Sequence, residues 1–295
     1  DAFIAAGVEC VSRYGKGNAD SLPDTANPTF KAPGARSKVR AEGGHGDWGP
    51  ADGLPDLYIA MGQTAENVAE LKGVSREAMD EYGVMSQNKA EAAIERGFFE
   101  MDITPVVMPD GTVVSTDDGP RAGVTLEAVS QLKPVFRPDG RVTAANACPL
   151  NDGAAAVVVM SRKRAEELGI TPLARVIASS VSALNPEIMG LGPIEAINRV
   201  MARANMTMSD IDLVEINEAF AAQVIPSADE LGIDMVSQLN INGGAIALGH
   251  PFGQTGARIM TTLINALQDS DKTFGLESMC VGGGQGMAMV IERLS

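Results

Sequence analysis

Apolar and polar positions change period several times along the chain, and each change marks an element. The opening run Phe3-Ile4-Ala5-Ala6-Gly7-Val8 is apolar, has no preceding turn or cap, and reads as a buried strand. From Arg13 to about Pro55, Gly, Pro, Asn, Asp and Ser dominate with little periodicity, which predicts an excursion of loops. Helical spacing sets in between Thr64 and Phe99. Ser75 is placed to cap a helix carrying Ala78, Met79, Tyr82 and Met85, with Gly97 near its end. The polar turn Asn151-Asp152-Gly153 then leads into the unbroken apolar stretch Ala154 to Met160, predicted to be a central strand.

Strand and helix alternate from there on. A helix over Arg162 to Leu168, stopped by Gly169, precedes a strand at Ala174 to Ala178. Pro193 opens a helix with Ile194, Ile197, Met201 and Ala204 on one side, and Ile211 to Ile216 is the next strand. A helix beginning near Glu218 and a short strand at Leu239-Asn240-Ile241 follow. Next comes a helix with Ile259, Met260, Leu263, Ile264 and Leu267 facing inward. Strands over Phe274 to Met279 and Met287 to Ile291, joined by a glycine-rich turn, finish the chain. The fold class is α/β, with helices covering a mixed sheet from about residue 172 onward.

Composition narrows the function classes. With 295 residues and 45% hydrophobic content the chain can fill about two domains. A net charge of -15, spread along the chain, argues against nucleic acid as a partner. It leaves room for an anionic ligand held by a few local cations and backbone N–H groups. The three cysteines, Cys10, Cys148 and Cys280, are too scattered for a disulfide framework and suit a reducing cytoplasm. Two histidines and no Cys-x-x-Cys pair leave little material for a metal site, so none is expected. No apolar stretch approaches the roughly 20 residues of a membrane span, and the first residues lack the pattern of a secretory leader.

Three segments fall at or near strand ends, where α/β sheets build their sites: Asn217-Glu218-Ala219-Phe220, Gly249-His250-Pro251, and Cys280-Val281-Gly282-Gly283-Gly284. A histidine can take a proton from a thiol, and a cysteine can exchange one with a carbon beside a carbonyl. The glycines let backbone approach a ligand, so that an N–H of Gly282 can face a thioester oxyanion. Asn217 can orient a water or donate directly. Singly, each signal has a plainer reading: a lone cysteine is most often a buried hydrophobe, a lone histidine a packing residue, a glycine run a tight turn.

Together they carry more. Asn217 to Phe220 comes first, then Asn242-Gly243-Gly244-Ala245-Ile246-Ala247-Leu248-Gly249-His250-Pro251 with Gly253-Gln254-Thr255-Gly256-Ala257-Arg258, then Cys280 to Gly283. They occur in the order found in the thiolase family, which the whole chain resembles. Met61 to Glu66, Asn151 to Ala154 and Pro186 to Gly190 extend the resemblance, which is strongest to thiolases of bacterial fatty-acid β-oxidation.

The resemblance implies two similar α/β halves with mixed sheets and an inserted, mainly helical loop domain. Residues 1–12 and 143–170 would belong to the first half, 13–142 to the loop domain, and 171–295 to the second half. It implies acyl transfer between 3-ketoacyl-CoA and coenzyme A. His250 would activate a nucleophilic cysteine and line an oxyanion hole, and Asn217 would hold that site's water. Cys280 would serve as acid or base, and Gly282 would contribute to the second oxyanion hole. Met61, Arg121, Ala128, Cys148 and Phe220 would lie along the coenzyme, which is a substrate and not a resident cofactor. Cys148 stands where many relatives carry serine. The resemblance further implies a homo-dimer or homo-tetramer, with a hydratase/dehydrogenase subunit as a candidate partner.

One departure is large. The family's acylated cysteine lies in a glycine-rich motif upstream of Gly7-Val8-Glu9-Cys10, and these 295 residues contain none. Cys10 does not replace it, lacking a helix N-terminus or a neighbouring base. The expectation is a first half that lacks its amino-terminal segment, and a chain inactive by itself. Two alternatives stay open: a non-catalytic acyl-CoA-binding or scaffold protein, and a ketosynthase-like enzyme, in which histidine or another residue is expected at the place of Cys280.

Overall fold

The computed structural model describes residues 1–14, 25–44, 48–49 and 53–295. The chain opens with strand β1 (Ala2–Glu9) and a single turn α1 (Val11–Tyr14). Helices α2 (Lys31–Ala41), α3 (Met61–Lys72) and α4 (Arg76–Glu95) follow, then the small hairpin β2 (Val106–Val107) and β3 (Val113–Val114) and the short helix α5 (Leu126–Ser130). After β4 (Gly153–Met160) and α6 (Arg162–Leu168) come β5 (Ala174–Ala183), α7 (Gly192–Ala204), β6 (Leu213–Ile216) and α8 (Ala221–Leu231). The turn α9 (Ala245–Leu248), the long α10 (Thr255–Asp269), β7 (Phe274–Val281) and β8 (Gln285–Arg293) complete it. Among the described residues no helix is long and apolar enough to cross a membrane.

Local chemistry sets most helix ends. The Ser75 hydroxyl accepts from the Ala78 N–H at the start of α4, and Ser161 does the same for Arg164 at the start of α6. Gly73, Gly169 and Gly232 end α3, α6 and α8 in the left-handed conformation, releasing the last carbonyls to cap bonds.

The carboxy-terminal sheet has the order β5-β8-β7-β6 and is mixed: β6 runs parallel to β7, the other pairs antiparallel. Helices α7 and α8 cover one face, where Ile197, Val200, Val224, Leu276 and Val290 join one core cluster. Helix α10 covers the other, with Leu263, Leu267, Leu213 and Ile291 in a second. Helix α4 spans from this second unit to the long insertion. Its Ala93 belongs to the α10 cluster, while Met79 and Tyr82 belong to the other.

Several expectations need correcting. The run Phe3 to Val8 is a strand but not a buried one: Phe3, Ile4 and Val8 are 66%, 74% and 72% exposed. Ala154 to Met160 is likewise not central. Among the described residues it pairs antiparallel with β1 alone, in a two-stranded sheet that brings residues 2–9 against 153–160. Strand neighbours pair along edges and leave the faces to whatever packs on them, and much of this sheet's faces stays uncovered, so apolarity here outruns burial. An open cleft of about 1190 Å³ runs between this pair, α10 and β5, lined by Val158, Val176, Met260 and Ile264 among others; none of the candidate site residues lines it. The stretch from Arg13 to Pro55 is not all loop, since Lys31–Ala41 is helical despite Pro33 and Gly34. Pro33 falls in the first turn, where a missing N–H costs nothing. Residues 15–24, 45–47 and 50–52 of that stretch, His45 included, lie outside the described residues. Leu239 to Ile241 makes one bridge, Leu239 to Val214, and no strand. The helix expected near Glu218 starts at Ala221.

Candidate active site

Strands β6 and β7 run side by side in register, with Ile216 opposite Ser278, so their carboxy-terminal ends deliver Asn217 and Cys280 to one edge. The Asn217 N–H donates to the Ser278 carbonyl at 3.0 Å, and its own carbonyl accepts from Gln223 Nε2 at 2.7 Å, which clamps the backbone. Its side chain is different. Asn217 is 1% exposed, yet neither Oδ1 nor Nδ2 has a hydrogen-bond partner among the described residues. Burying an amide without partners costs about 1–3 kcal/mol, so the arrangement suits a group received from outside the protein.

Cys280 lies within β7, not after it, because β7 and β8 stay paired up to Val281 and Gln285. It shares a small buried cluster with Met189 and Ala219, against which Phe220 packs, and burial pushes its thiol pKa up to about 11. Cys148 is held alongside by its N–H donating to the Ala219 carbonyl at 3.0 Å. Burial first, and then the neighbouring Cys280, push it up to about 12. Both are protonated at neutral pH and neither has the electropositive setting of a nucleophilic thiolate. Beyond Cys280 the chain turns through Gly282. A Cβ built there meets no atom within 4 Å, so the backbone borders open space.

Glu218 fixes the second segment. Its carboxylate accepts from Tyr82 Oη at 2.9 Å, Ser86 Oγ at 2.6 Å, Asn240 Nδ2 at 2.7 Å and the Ile246 N–H at 3.1 Å. Burial, then the Glu218 charge, raise the Tyr82 pKa well above its ordinary value and keep that donor protonated. One carboxylate thus ties α4 and α9 to the end of β6. Gly244 must be glycine, because a Cβ would stand 2.2 Å from the Glu218 carboxyl carbon. His250 follows α9, with Nδ1 2.6 Å from Thr255 Oγ1 and its ring edge-on to Phe252 at 5.0 Å between centroids. Burial, with a smaller push from Arg258, lowers its pKa to about 4, so the ring is neutral at pH 7. The start of α10 approaches β7 where a Cβ on Gly256 would lie 3.7 Å from Met279 Sδ.

The insertion supplies a wall. The Phe136 ring meets Phe220 edge-on at 6.1 Å, and it rests on Gly62, where a Cβ would fall 2.3 Å from the ring atoms. Gln63 Nε2 donates to the Phe136 carbonyl at 2.6 Å, and Glu66 accepts from the Arg141 and Val142 N–H groups. Met61 to Glu66 therefore reads as the support of that wall.

Cys280, Cys148 and Phe220 are brought together, with Asn217 just past the end of the adjoining strand β6. Among the described residues no hydrogen bond joins His250 to any of them. Met61, Arg121 and Ala128 are all exposed. The Arg121 backbone N–H donates to Gln87 Oε1 at 3.0 Å, and Gln87 Nε2 reaches the Ile246 carbonyl, which links that loop to α9. Sequence reasoning missed Met189 and Thr255, although both sit inside motifs it quoted; only packing shows that they touch Cys280 and His250. It also missed Phe136, which carries no local signal.

Two family models, described as thiolase N-terminal domain and thiolase C-terminal domain, match residues 1–163 and 170–293. The first match begins at residue 1, so the expected lack of an amino-terminal segment gains no support from it. The acetyl-CoA acetyltransferase of Cupriavidus necator is 46% identical over 300 residues, covering 99% of this chain and 75% of that protein. The dimeric peroxisomal thiolase of Saccharomyces cerevisiae superposes with a TM-score of 0.86 at 36% identity, over 100% of this chain and 70% of the other. Human mitochondrial 3-ketoacyl-CoA thiolase in complex with CoA gives 0.83 at 33%, over 100% and 71%. Nearly every residue of the two units falls inside these matches, and the chain belongs to the thiolase family.

Proposed function

We propose that this chain carries the acid–base half of an acyl transfer between 3-ketoacyl-CoA and coenzyme A. The observation that carries the reading is the pairing, at one sheet edge, of a buried un-ionised Cys280 with the partnerless buried amide of Asn217. In thiolysis the Cα–Cβ bond of the 3-ketoacyl group breaks and its electron pair is left on the α-carbon as an enolate. Cys280, held as a thiol, is suited to protonate that carbon, and in condensation to take the proton back. Gly282 and Asn217 border the space where the thioester oxygens would lie, Asn217 directly or through a water. His250, neutral at pH 7, is suited to accept a thiol proton and then to donate to an oxyanion.

The acylated cysteine is proposed to lie outside these three cysteines, since Cys148 and Cys280 are both held protonated and the Cys10 thiol lies against the Ser12 hydroxyl and the Asp152 carboxylate, an anion that disfavours a thiolate. The 295 residues alone are then expected not to turn over. Coenzyme A is assigned to residues 13–142 together with Phe220 and Cys148; the exposed Arg121 and Met61 support that assignment, and a human relative is known in complex with CoA. A homo-oligomer is proposed by likeness to the dimeric yeast thiolase, and a hydratase/dehydrogenase subunit is a further candidate partner. Intact mass and 3-ketoacyl-CoA thiolysis measured on the full-length protein test the reading. His250→Ala and Cys280→Ala should each lower turnover at least about 100-fold with the fold retained. Normal turnover in either would overturn the assignment.

A further inference from the structure

Among the described residues His250 is gripped at one ring nitrogen only. Nδ1 lies 2.6 Å from Thr255 Oγ1, and the same hydroxyl lies 3.0 Å from the Pro251 carbonyl oxygen. Thr255 is completely buried, so no solvent water supplies a further proton at Oγ1. Two short contacts must therefore be served by the single hydroxyl proton and, where present, the proton on Nδ1.

Only one arrangement uses both contacts. If Nδ1–H donates to Oγ1, the hydroxyl is free to donate to the Pro251 carbonyl, the ordinary back-bond of a threonine to the residue four before it. If instead the hydroxyl donates to a bare Nδ1, the Oγ1 and Pro251 oxygens face each other at 3.0 Å with no proton between them. That costs a hydrogen bond in a dry setting, about 1 kcal/mol or more. We infer that Thr255 is a positioning residue which locks neutral His250 in the Nδ1–H tautomer and so presents Nε2 as a bare acceptor.

The inference rests on the proposed function only for its purpose. A thiol brought to Nε2 would break its S–H bond, leave the electron pair on sulfur and place the proton on Nε2. The resulting imidazolium keeps Nδ1–H on Thr255 and turns Nε2–H into a donor, so one ring acts as base and then as oxyanion partner without reorienting. The opposite tautomer would offer Nε2–H from the start and take no proton.

Two-bond ¹H–¹⁵N correlation spectra of the ¹⁵N-histidine-labelled chain at neutral pH read the tautomer directly. The sequence has only two histidines, and a His45→Gln variant assigns the signals. The expected result is a protonated, pyrrole-type Nδ1 and a bare, pyridine-type Nε2 for His250. Thr255→Val, which keeps the shape and removes the hydroxyl, should shift the ring toward the mixture of an unrestrained histidine, and Thr255→Ser should restore the single form. A pyrrole-type Nε2 in the parent protein overturns the inference, as does an unchanged spectrum in folded Thr255→Val. If Thr255→Val does not fold, the parent spectrum and the serine variant decide. A full-length protein with the expected spectrum and no thiolysis would sink the proposed function and leave the tautomer standing.

Discussion

Glu215 sits on β6, two residues before Asn217, and is 2% exposed. Among the described residues its Oε2 has no hydrogen-bond partner, and Arg258 Nη1 lies 3.9 Å away. Burial raises its pKa from 4.5 to about 8, against the partial opposition of Arg258. The folded state thus holds a proton that the unfolded state releases, and stability from this group is complete below about pH 4.5 and lost as pH rises through about 8. A shift of this size, at 1.36 kcal/mol per pH unit, amounts to about 5 kcal/mol as an upper bound. Glu215→Gln mimics the protonated form and should remove the loss, because a neutral Glu215 already gives Arg258 no countercharge. In urea titrations at several pH values, parent and variant should agree within about 1 kcal/mol near pH 5 and diverge by several kcal/mol, in favour of the glutamine, near pH 9. Glu277, also pushed up to about 8 by burial, gives both proteins a shared decline, so the difference curve is the readout. Parallel curves would refute the reasoning.

Three further outcomes test the support of the site. Gly62→Ala should cost about 1–3 kcal/mol, because its Cβ meets the Phe136 ring at 2.3 Å; adding Phe136→Leu should recover part of the loss in a double-mutant cycle by urea denaturation. Glu218→Gln places an amide donor among groups that already donate to that carboxylate, so a loss of about 2–3 kcal/mol is expected; a loss under about 0.5 kcal/mol would show that α9 is held by other contacts. Arg121→Ala in the full-length protein should raise KM for coenzyme A with little change in kcat, and an unchanged KM removes it from the coenzyme-binding residues.

Local signals carried a good part of this protein. The caps Ser75 and Ser161 and the stops Gly73, Gly169 and Gly232 act within a few residues of themselves, and the helices between them follow. The alternation after residue 172 likewise announced the mixed sheet, and the ordered motifs announced the family. Burial did not follow from apolarity. Phe3, Ile4 and Val8 are apolar and exposed, whereas Glu215 and Glu218 are charged and buried, because burial depends on what packs across a face and not on the strand itself. The same holds for the chemistry. Glu218 gains its partners from Tyr82 and Ser86, more than 130 residues earlier in the chain, and Phe136 reaches the Phe220 ring from the far end of the insertion. Even the Thr255–His250 contact, five residues apart, depends on how the turn at Pro251 aims two side chains. Backbone preferences act over one turn of chain and can be read from residue order; the pairing of distant side chains is settled by the free energy of packing the whole molecule.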